Sequence, residues 1–420
     1  MSSFGGRRYR AVVVLLVALS LGCGPKRPPP PSPAAGPKAP RGASGRPAEE
    51  LPSKPPSEAV PPTPGTATGF EPSFLTRVLL LEGFRSVEVE GSRFGSRIKL
   101  ELQSKAIRRL IQKQGDWIPL DTGSGFRLEP APGQSLSLNG VVYRGELEVF
   151  VNPLGKPVLV NEVEVEDYLR GVVPQELGPH SYPQIEALKT QAVASRTFAL
   201  AHQGSRASRG YDLYADHRSQ VYAGLKGEHL ATDRAIRGTR GLIATFQGKA
   251  IVALYSSTCG GKTESYDAIF NRPPLPYLKG GALCPDEKSR YHRWQEKITI
   301  SRILKNSESL AQLGKLKKLV RSRTSAQGRL LELVWEGSEG ERILRGNELR
   351  FTLGLRSNWV IDFHPLMAKG EIVEVDVKGR GWGHGVGLCQ MGAVELARRG
   401  WSFERILKHY YQGVKLTRAY

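Results

Sequence analysis

Beyond its first two dozen residues the chain has no apolar run long enough to span a membrane, which argues against a polytopic membrane protein and predicts that the remainder is soluble. No internal repeat recurs at a fixed period, so solenoid and propeller architectures are not expected. Acidic residues are few for the number of basic ones: 40 Asp and Glu face 60 Lys and Arg, a net charge of +20. That excess is spread along the chain without a dominant basic arm, so no nucleic-acid partner is expected, and anionic polymers or lipid headgroups fit better. Cysteine is scarce too, with four in 420 residues, at positions 23, 259, 284 and 389.

What is present at the start is a positively charged stretch, MSSFGGRRYR, followed by AVVVLLVALSLG and Cys23. This is a signal-peptide pattern. Ser20-Leu21-Gly22-Cys23 resembles the bacterial lipoprotein processing box, with Ser where Leu is more usual. On that reading Cys23 carries lipid and anchors an exported chain to a membrane of the cell envelope; an ordinary secretory signal is the alternative. Gly24 and Pro25 follow the cysteine with no Asp after it, which points to the outer membrane and periplasm where the organism has them. The stretch from Gly24 to Gly69 holds 15 of the 29 prolines. With few large apolar groups to offset its ordering entropy, it is expected to be a disordered tether.

The remaining 350 or so residues are enough for one large or two ordinary domains. Residues 70–159 alternate in the manner of strands (VEVEG, RIKLEL, YRGELEVFVN) with turns at Asn139-Gly140 and Leu154-Gly155, and predict a β-rich module. Residues 160–420 predict an α+β domain, a mixed sheet with packed helices, interrupted by a basic segment at about 298–360. Its clearest helix runs from about Pro183 to His202, with Ile185, Leu188, Ala192 and Ala199 on one side. Lys189 and Arg196, two turns apart, share another face. The bland reading is a solvated basic stripe; the sharper one turns Arg196 toward a site. A helix from about Leu388 to Arg398 ends at Gly400, and a short one starts near Ser402.

Glu176, in VVPQELG, lies in a Pro- and Gly-flanked segment just before the long helix and is a candidate general acid. Burial against Val172, Val173 and Leu177 would raise its pKa toward that task. Glu166 and Asp167 are the nearest acidic rivals, and a structural role fits both. Gln220 and Tyr222, in SQVYAG, could hydrogen-bond or stack on a ligand. In GRGWGHGVG the glycines let backbone run close to a polymer or another segment and leave His384 between them. Gln390 follows and could act with His384.

Six blocks, VVPQELG with ALKTQAVASRTFAL, DHRSQVYAG, STCGGKTES, GRGWGHGVGLCQMGA and ILKHYYQG, together resemble the stage II sporulation protein D family, which includes amidase enhancers. The resemblance spans roughly Tyr143 to Gly413. It implies a peptidoglycan lytic transglycosylase that cleaves the bond from N-acetylmuramic acid to N-acetylglucosamine without water, leaving a 1,6-anhydro end, with Glu176 as the acid and base. Arg196, Gln220, Tyr222, His384 and Gln390 are then the candidates for positioning the glycan, and no cofactor is called for. One rival is a non-catalytic protein that binds peptidoglycan and activates an amidase. Another is a thiol hydrolase built on Cys389 and His384.

Two expectations concern cysteine chemistry. In an oxidising compartment Cys259 and Cys284 are expected to form a disulfide, with Cys389 a packed single thiol. Some members of that family carry a zinc-binding Cys/His cluster just before the QVY motif. Here Asp212 to Ser219 offers no cysteine and one imidazole, four ligands cannot be assembled, and the chain is expected to hold no structural zinc.

Overall fold

The computed structural model describes residues 74–420. The signal-peptide pattern, Cys23 and the Pro-rich stretch lie outside them. Within them the chain is α+β, with mixed sheets and packed helices.

Strict alternation builds the first sheet. Val87, Val89, Ile98, Leu100 and Ile107 are buried along three antiparallel neighbours, Ser86–Ser92, Gly95–Gln103 and Ala106–Lys113, with Val89 opposite Ile98 and Val87 opposite Leu100. The intervening Glu88 and Arg97 meet on the other face at 2.7 Å. Leu75–Glu82 instead joins a second sheet, pairing with Pro157–Glu164, and Leu213–Tyr214 adds a parallel strand to its free side. The β-rich lead-in therefore shares a sheet and a hydrophobic core with the helical part of the chain.

Three helices come next: α1 (Val165–Glu176), α2 (Ile185–Ala201) and α3 (Leu230–Gly238). Glu166 and Asp167, the acidic rivals of Glu176, occupy the first turn of α1. Helix α2 was expected to be amphipathic but is buried almost all round, from Ala187 to Leu200 apart from Lys189, and it packs on α1, α3, two later helices and the strand Leu242–Phe246. Small residues at Ala192, Ala194, Ser195 and Ala199 make that close approach possible, whereas Ile185 is exposed. The strand Leu242–Phe246 turns through Gln247 and Gly248, both at positive φ, into Lys249–Ala250, and on its other side pairs with the C-terminal strand Lys415–Arg418.

After α4 (Tyr266–Phe270) the chain builds a second hydrophobic core from Trp294, Ile303, Leu333, Trp335, Leu344, Leu349 and Val375. Two three-stranded sheets and α5 (Ile300–Lys305), α6 (Glu308–Ala311) and α7 (Gly346–Leu353) enclose it. The glycine-rich loop then returns to the first core, followed by α8 (Gln390–Arg398) and α9 (Phe403–Tyr410). Gly400, at positive φ, ends α8, and the Ser402 hydroxyl caps α9 through the Arg405 N–H.

Neither cation of the supposed basic stripe is a solvated surface group. Lys189 is half-buried and pairs with Glu186 at 2.7 Å. Arg196 is fully buried, and its Nε and Nη2 meet the two oxygens of Glu166 at 2.8 and 2.9 Å. Its Nη1 and Nη2 also donate to Leu242 O at 3.1 Å and Ile236 O at 3.4 Å. The Gly241 N–H at 3.3 Å and the Tyr420 hydroxyl complete the shell of Glu166. Burial pushes the Glu166 carboxyl up, but the Arg196 fork with the Tyr420 and Gly241 bonds outweighs it and holds the group below the usual carboxylate range. Arg196 is therefore a structural residue; the expected glycan contact is corrected because the core consumes its fork geometry.

Breaking this pair by Arg196→Met strands a buried carboxylate and is expected to cost about 3–5 kcal/mol, read as a lower urea midpoint. The depressed pKa of Glu166 contributes stability that is present above the ordinary carboxylate pKa and is lost as the pH falls below it. The gap between wild type and variant should therefore narrow in acid.

Candidate active site

A cleft of about 350 Å³ opens between the end of α1, the C-terminal turn of α2, the glycine-rich loop and α7. Glu176 lies on its floor. It is the last residue of α1, because Gly178 and Pro179 follow and the residue before a proline is biased away from helix. A helix C-terminus is a poor place for a carboxylate, since the dipole there is negative. Glu176 Oε1 accepts the Val221 N–H at 2.8 Å, and Gln390 Nε2 donates to the Glu176 backbone oxygen at 3.0 Å, covering a carbonyl the helix leaves unpaired. Burial pushes the Glu176 carboxyl above the usual range, against the opposing bonds from Val221, the Tyr255 hydroxyl and Gln390.

Behind the carboxyl stands a buried polar chain. Gln220 Nε2 donates to Tyr255 Oη at 3.0 Å, and Gln220 Oε1 accepts from the Tyr168 hydroxyl at 3.2 Å. With its lone pair occupied by Gln220, the Tyr255 hydroxyl has its own proton to offer Glu176. Gln390 also donates to Gln191 Oε1 at 3.2 Å, and Gln191 donates to Ser195 Oγ at 3.0 Å. This network fixes both the place and the orientation of Glu176.

The sequence candidates divide accordingly. Glu176, His384 and Gln390 line the cleft. Gln220 and Tyr222 do not: both are buried, and only Val221 between them faces the opening, where it is 38% exposed. The Tyr222 hydroxyl donates to Asn161 Oδ1 at 2.9 Å, and its ring packs on Tyr143 and Tyr168. A Cβ at Gly171 would stand 2.6 Å from that ring, so the glycine is required for the fit. Direct glycan contact by Gln220 and Tyr222 is thus corrected: burial alternates along Gln220, Val221 and Tyr222, and the motif turns its two large polar side chains inward.

His384 has both ring nitrogens engaged. Nε2 donates to Tyr255 O and Nδ1 accepts the Val386 N–H, each at 3.0 Å, which fixes one neutral tautomer. Burial pushes its pKa down to about 3. It is a fixed wall, unable to exchange protons near neutral pH. His202, stacked on Phe198 with its Nδ1 bonded to Phe198 O at 2.8 Å, is likewise pushed by burial down to about 4.

Other walls come from residues not singled out in the sequence: Phe198, Phe270, Phe351 and Trp382, with Arg218 and Arg350. Trp382 is 37% exposed, buttressed edge-on by Tyr291, with Arg356 over both rings. Its position in GWGHG was a readable signal; α7 gave none. Among the described residues Glu176 is the only carboxylate lining the cleft.

The cysteines are elsewhere. Cys259, Cys284 and Cys389 are buried free thiols, so the expected Cys259–Cys284 disulfide is not formed. All three gather in one place, with their sulfurs within 4.8 Å of one another. Cys389 faces this cluster and His384 is tied to Tyr255 and Val386, so they form no nucleophile and base pair.

A raised pKa makes the folded state bind a proton more tightly than the unfolded chain, so the contribution of Glu176 to stability is greatest in acid and is lost as the pH rises through its folded value. The variant Glu176→Gln keeps an oxygen for Val221 without the buried charge. Its melting temperature should exceed that of wild type at pH 8, and the two should converge toward pH 4.

A family model described as stage II sporulation protein matches residues 155–246, the segment that supplies α1, α2 and Val221, and a domain of unknown function matches residues 266–387. An uncharacterized protein of Brachyspira hyodysenteriae is 31% identical over 309 residues, 73% of this chain and 77% of that protein. Stage II sporulation protein D of Bacillus amyloliquefaciens is 32% identical over 333 residues, 72% of this chain and 90% of its own. An amidase enhancer of Bacillus subtilis is 29% identical over 300 residues, 59% of this chain and 40% of that protein. The length of these matches, with the Glu176 helix and the glycine-rich loop meeting at one cleft, shows that the chain belongs to the stage II sporulation protein D family.

Proposed function

We propose that the chain acts on the cell wall as a peptidoglycan lytic transglycosylase with Glu176 as acid and then base. The observation that carries this reading is that one carboxyl, and no second, lines the cleft among the described residues. Glycoside hydrolases generally need a partner carboxylate to activate water or attack the sugar. Intramolecular attack needs none. Protonated Glu176 gives its proton to the glycosidic oxygen, which leaves with N-acetylglucosamine as the C1–O bond breaks. The C6 hydroxyl oxygen of the muramic sugar closes on C1, and its proton returns to Glu176. No water is consumed.

The surroundings support this cycle. The raised pKa keeps part of Glu176 in the acid form above the ordinary carboxylate range. Trp382, Phe270 and Phe351 offer apolar faces for sugar rings. His384 and Gln390 act by holding Tyr255 and Glu176 in place. Export and lipid attachment at Cys23 belong to the same proposal and would bring the domain to its polymer.

A second reading comes from the relative named as an amidase enhancer: the cleft binds glycan and the chain activates an amidase without cutting.

Purified chain incubated with intact and with peptide-stripped sacculi should release 1,6-anhydro ends detectable by mass spectrometry, and Glu176→Gln should lower that release by at least about 100-fold. Equal release by the variant would refute the assignment. Stimulation of an added amidase without anhydro products would favour the second reading. Trp382→Ala is expected to raise KM roughly tenfold with a smaller change in kcat, the signature of lost ground-state binding.

A further inference from the structure

The three thiols lie outside the cleft, and nothing in its chemistry uses them. They come from three separate segments: the STCGG loop, the loop at Cys284, and Cys389 at the start of α8. All are buried, and their sulfurs fall within 4.8 Å of one another. Zinc bonded to sulfur at about 2.3 Å in a tetrahedron spaces its sulfurs roughly 3.8 Å apart, so closing on an ion requires movements of about 1 Å or less. We propose that Cys259, Cys284 and Cys389 form a structural zinc site with Asp286 as the fourth ligand.

The surroundings are those of a metal-thiolate site. Cys389 Sγ already receives two backbone donors, the N–H of Cys259 at 3.2 Å and of Gly392 at 3.4 Å, which disperse thiolate charge. Asp286 Oδ2 lies 3.4 Å from that sulfur and accepts the Gly260 N–H at 2.8 Å. Its other oxygen is held by His292 Nδ1 at 2.7 Å, an outer partner of the kind that orients a ligating carboxylate. Arg329 supplies the counter-charge. It is fully buried, donates through Nη2 to Cys259 O at 2.7 Å, and has Nε and Nη1 without hydrogen-bond partners. Three thiolates, one carboxylate and a divalent ion leave a surplus of negative charge beside this cation. Space for the guanidinium is kept by Gly385, where a Cβ would collide with Nη2.

On binding, the three thiols give their protons to solvent and the carboxylate enters as an anion. The sequence led to the expectation of no structural zinc because only Asp212 to Ser219 was weighed; the three cysteines, far apart in the chain, come together only in the fold. A disulfide between any two of these sulfurs would leave the third thiol and the Arg329 donors unused. The ion would pin three segments together, including the residue before Gln390, and so brace one wall of the cleft. This inference does not depend on what the cleft cuts.

The test is metal content and cobalt spectroscopy on the full chain. Protein purified without chelator should carry about one zinc per chain. After removal of zinc under reducing conditions, added Co²⁺ should give thiolate-to-cobalt charge-transfer bands and the strong visible bands of a tetrahedral site. Cys389→Ser keeps an oxygen to cap α8 through the Gly392 N–H but loses a sulfur ligand; its zinc content should fall at least tenfold, with weaker charge-transfer bands. Wild-type protein with no zinc and no thiolate bands, or peptide mapping that finds Cys259 joined to Cys284, would overturn the site.

Discussion

The fork between Arg196 and Glu166 sets the position of everything around the cleft. It joins the first turn of α1 to the middle of α2, and through Ile236, Gly241, Leu242 and Tyr420 it also takes hold of the end of α3, the next strand and the end of the chain. A buried ion pair is weak as a source of stability, but its directional bonds admit few alternative packings. Three turns beyond the fork, the same α1 ends in Glu176. The fork therefore fixes the axis of the helix, and the helix carries the carboxyl to the cleft floor.

The second constraint is satisfaction of buried polar groups. Gln220, Gln191, Ser195, Tyr168 and Tyr255 form one network beneath Glu176, and Gln390 closes it from α8. Above this network, Glu176 is the one carboxyl among the described residues that lines the opening. Burial raises the pKa of Glu176 and lowers that of His384, which suits the carboxyl to the proposed acid and base role and keeps the imidazole neutral.

Much of this was legible in the sequence, and the reasons for the remainder are physical. Strand alternation announced the first sheet, Gly400 and Ser402 announced the boundary between α8 and α9, and the Pro- and Gly-flanked motif announced Glu176. Arg196, Gln220 and Tyr222 were recognised as special but given the wrong direction. A motif shows that a polar residue is needed and does not say whether a ligand or the core needs it, because both demand directional hydrogen bonds. The thiols were misread for a related reason: pairing by nearness in sequence favours Cys259 with Cys284, whereas Cys389 arrives only through the tertiary fold. Phe351 and Arg350 gave no signal, because α7 reaches the cleft through the packing of the second core.

That second core has a consequence of its own. One side of the cleft, with Glu176, Gln191, Ser195 and Gln220, belongs to the segment matched by the sporulation-protein model; Arg350 and Phe351, on the facing side, are delivered by a segment with separate sheets and a separate interior, matched by a different model. On the proposed function, the acid and the wall that faces it thus come from different stretches of chain. Substitutions within the second interior would therefore reshape the wall facing Glu176 while leaving the helix that carries it in place.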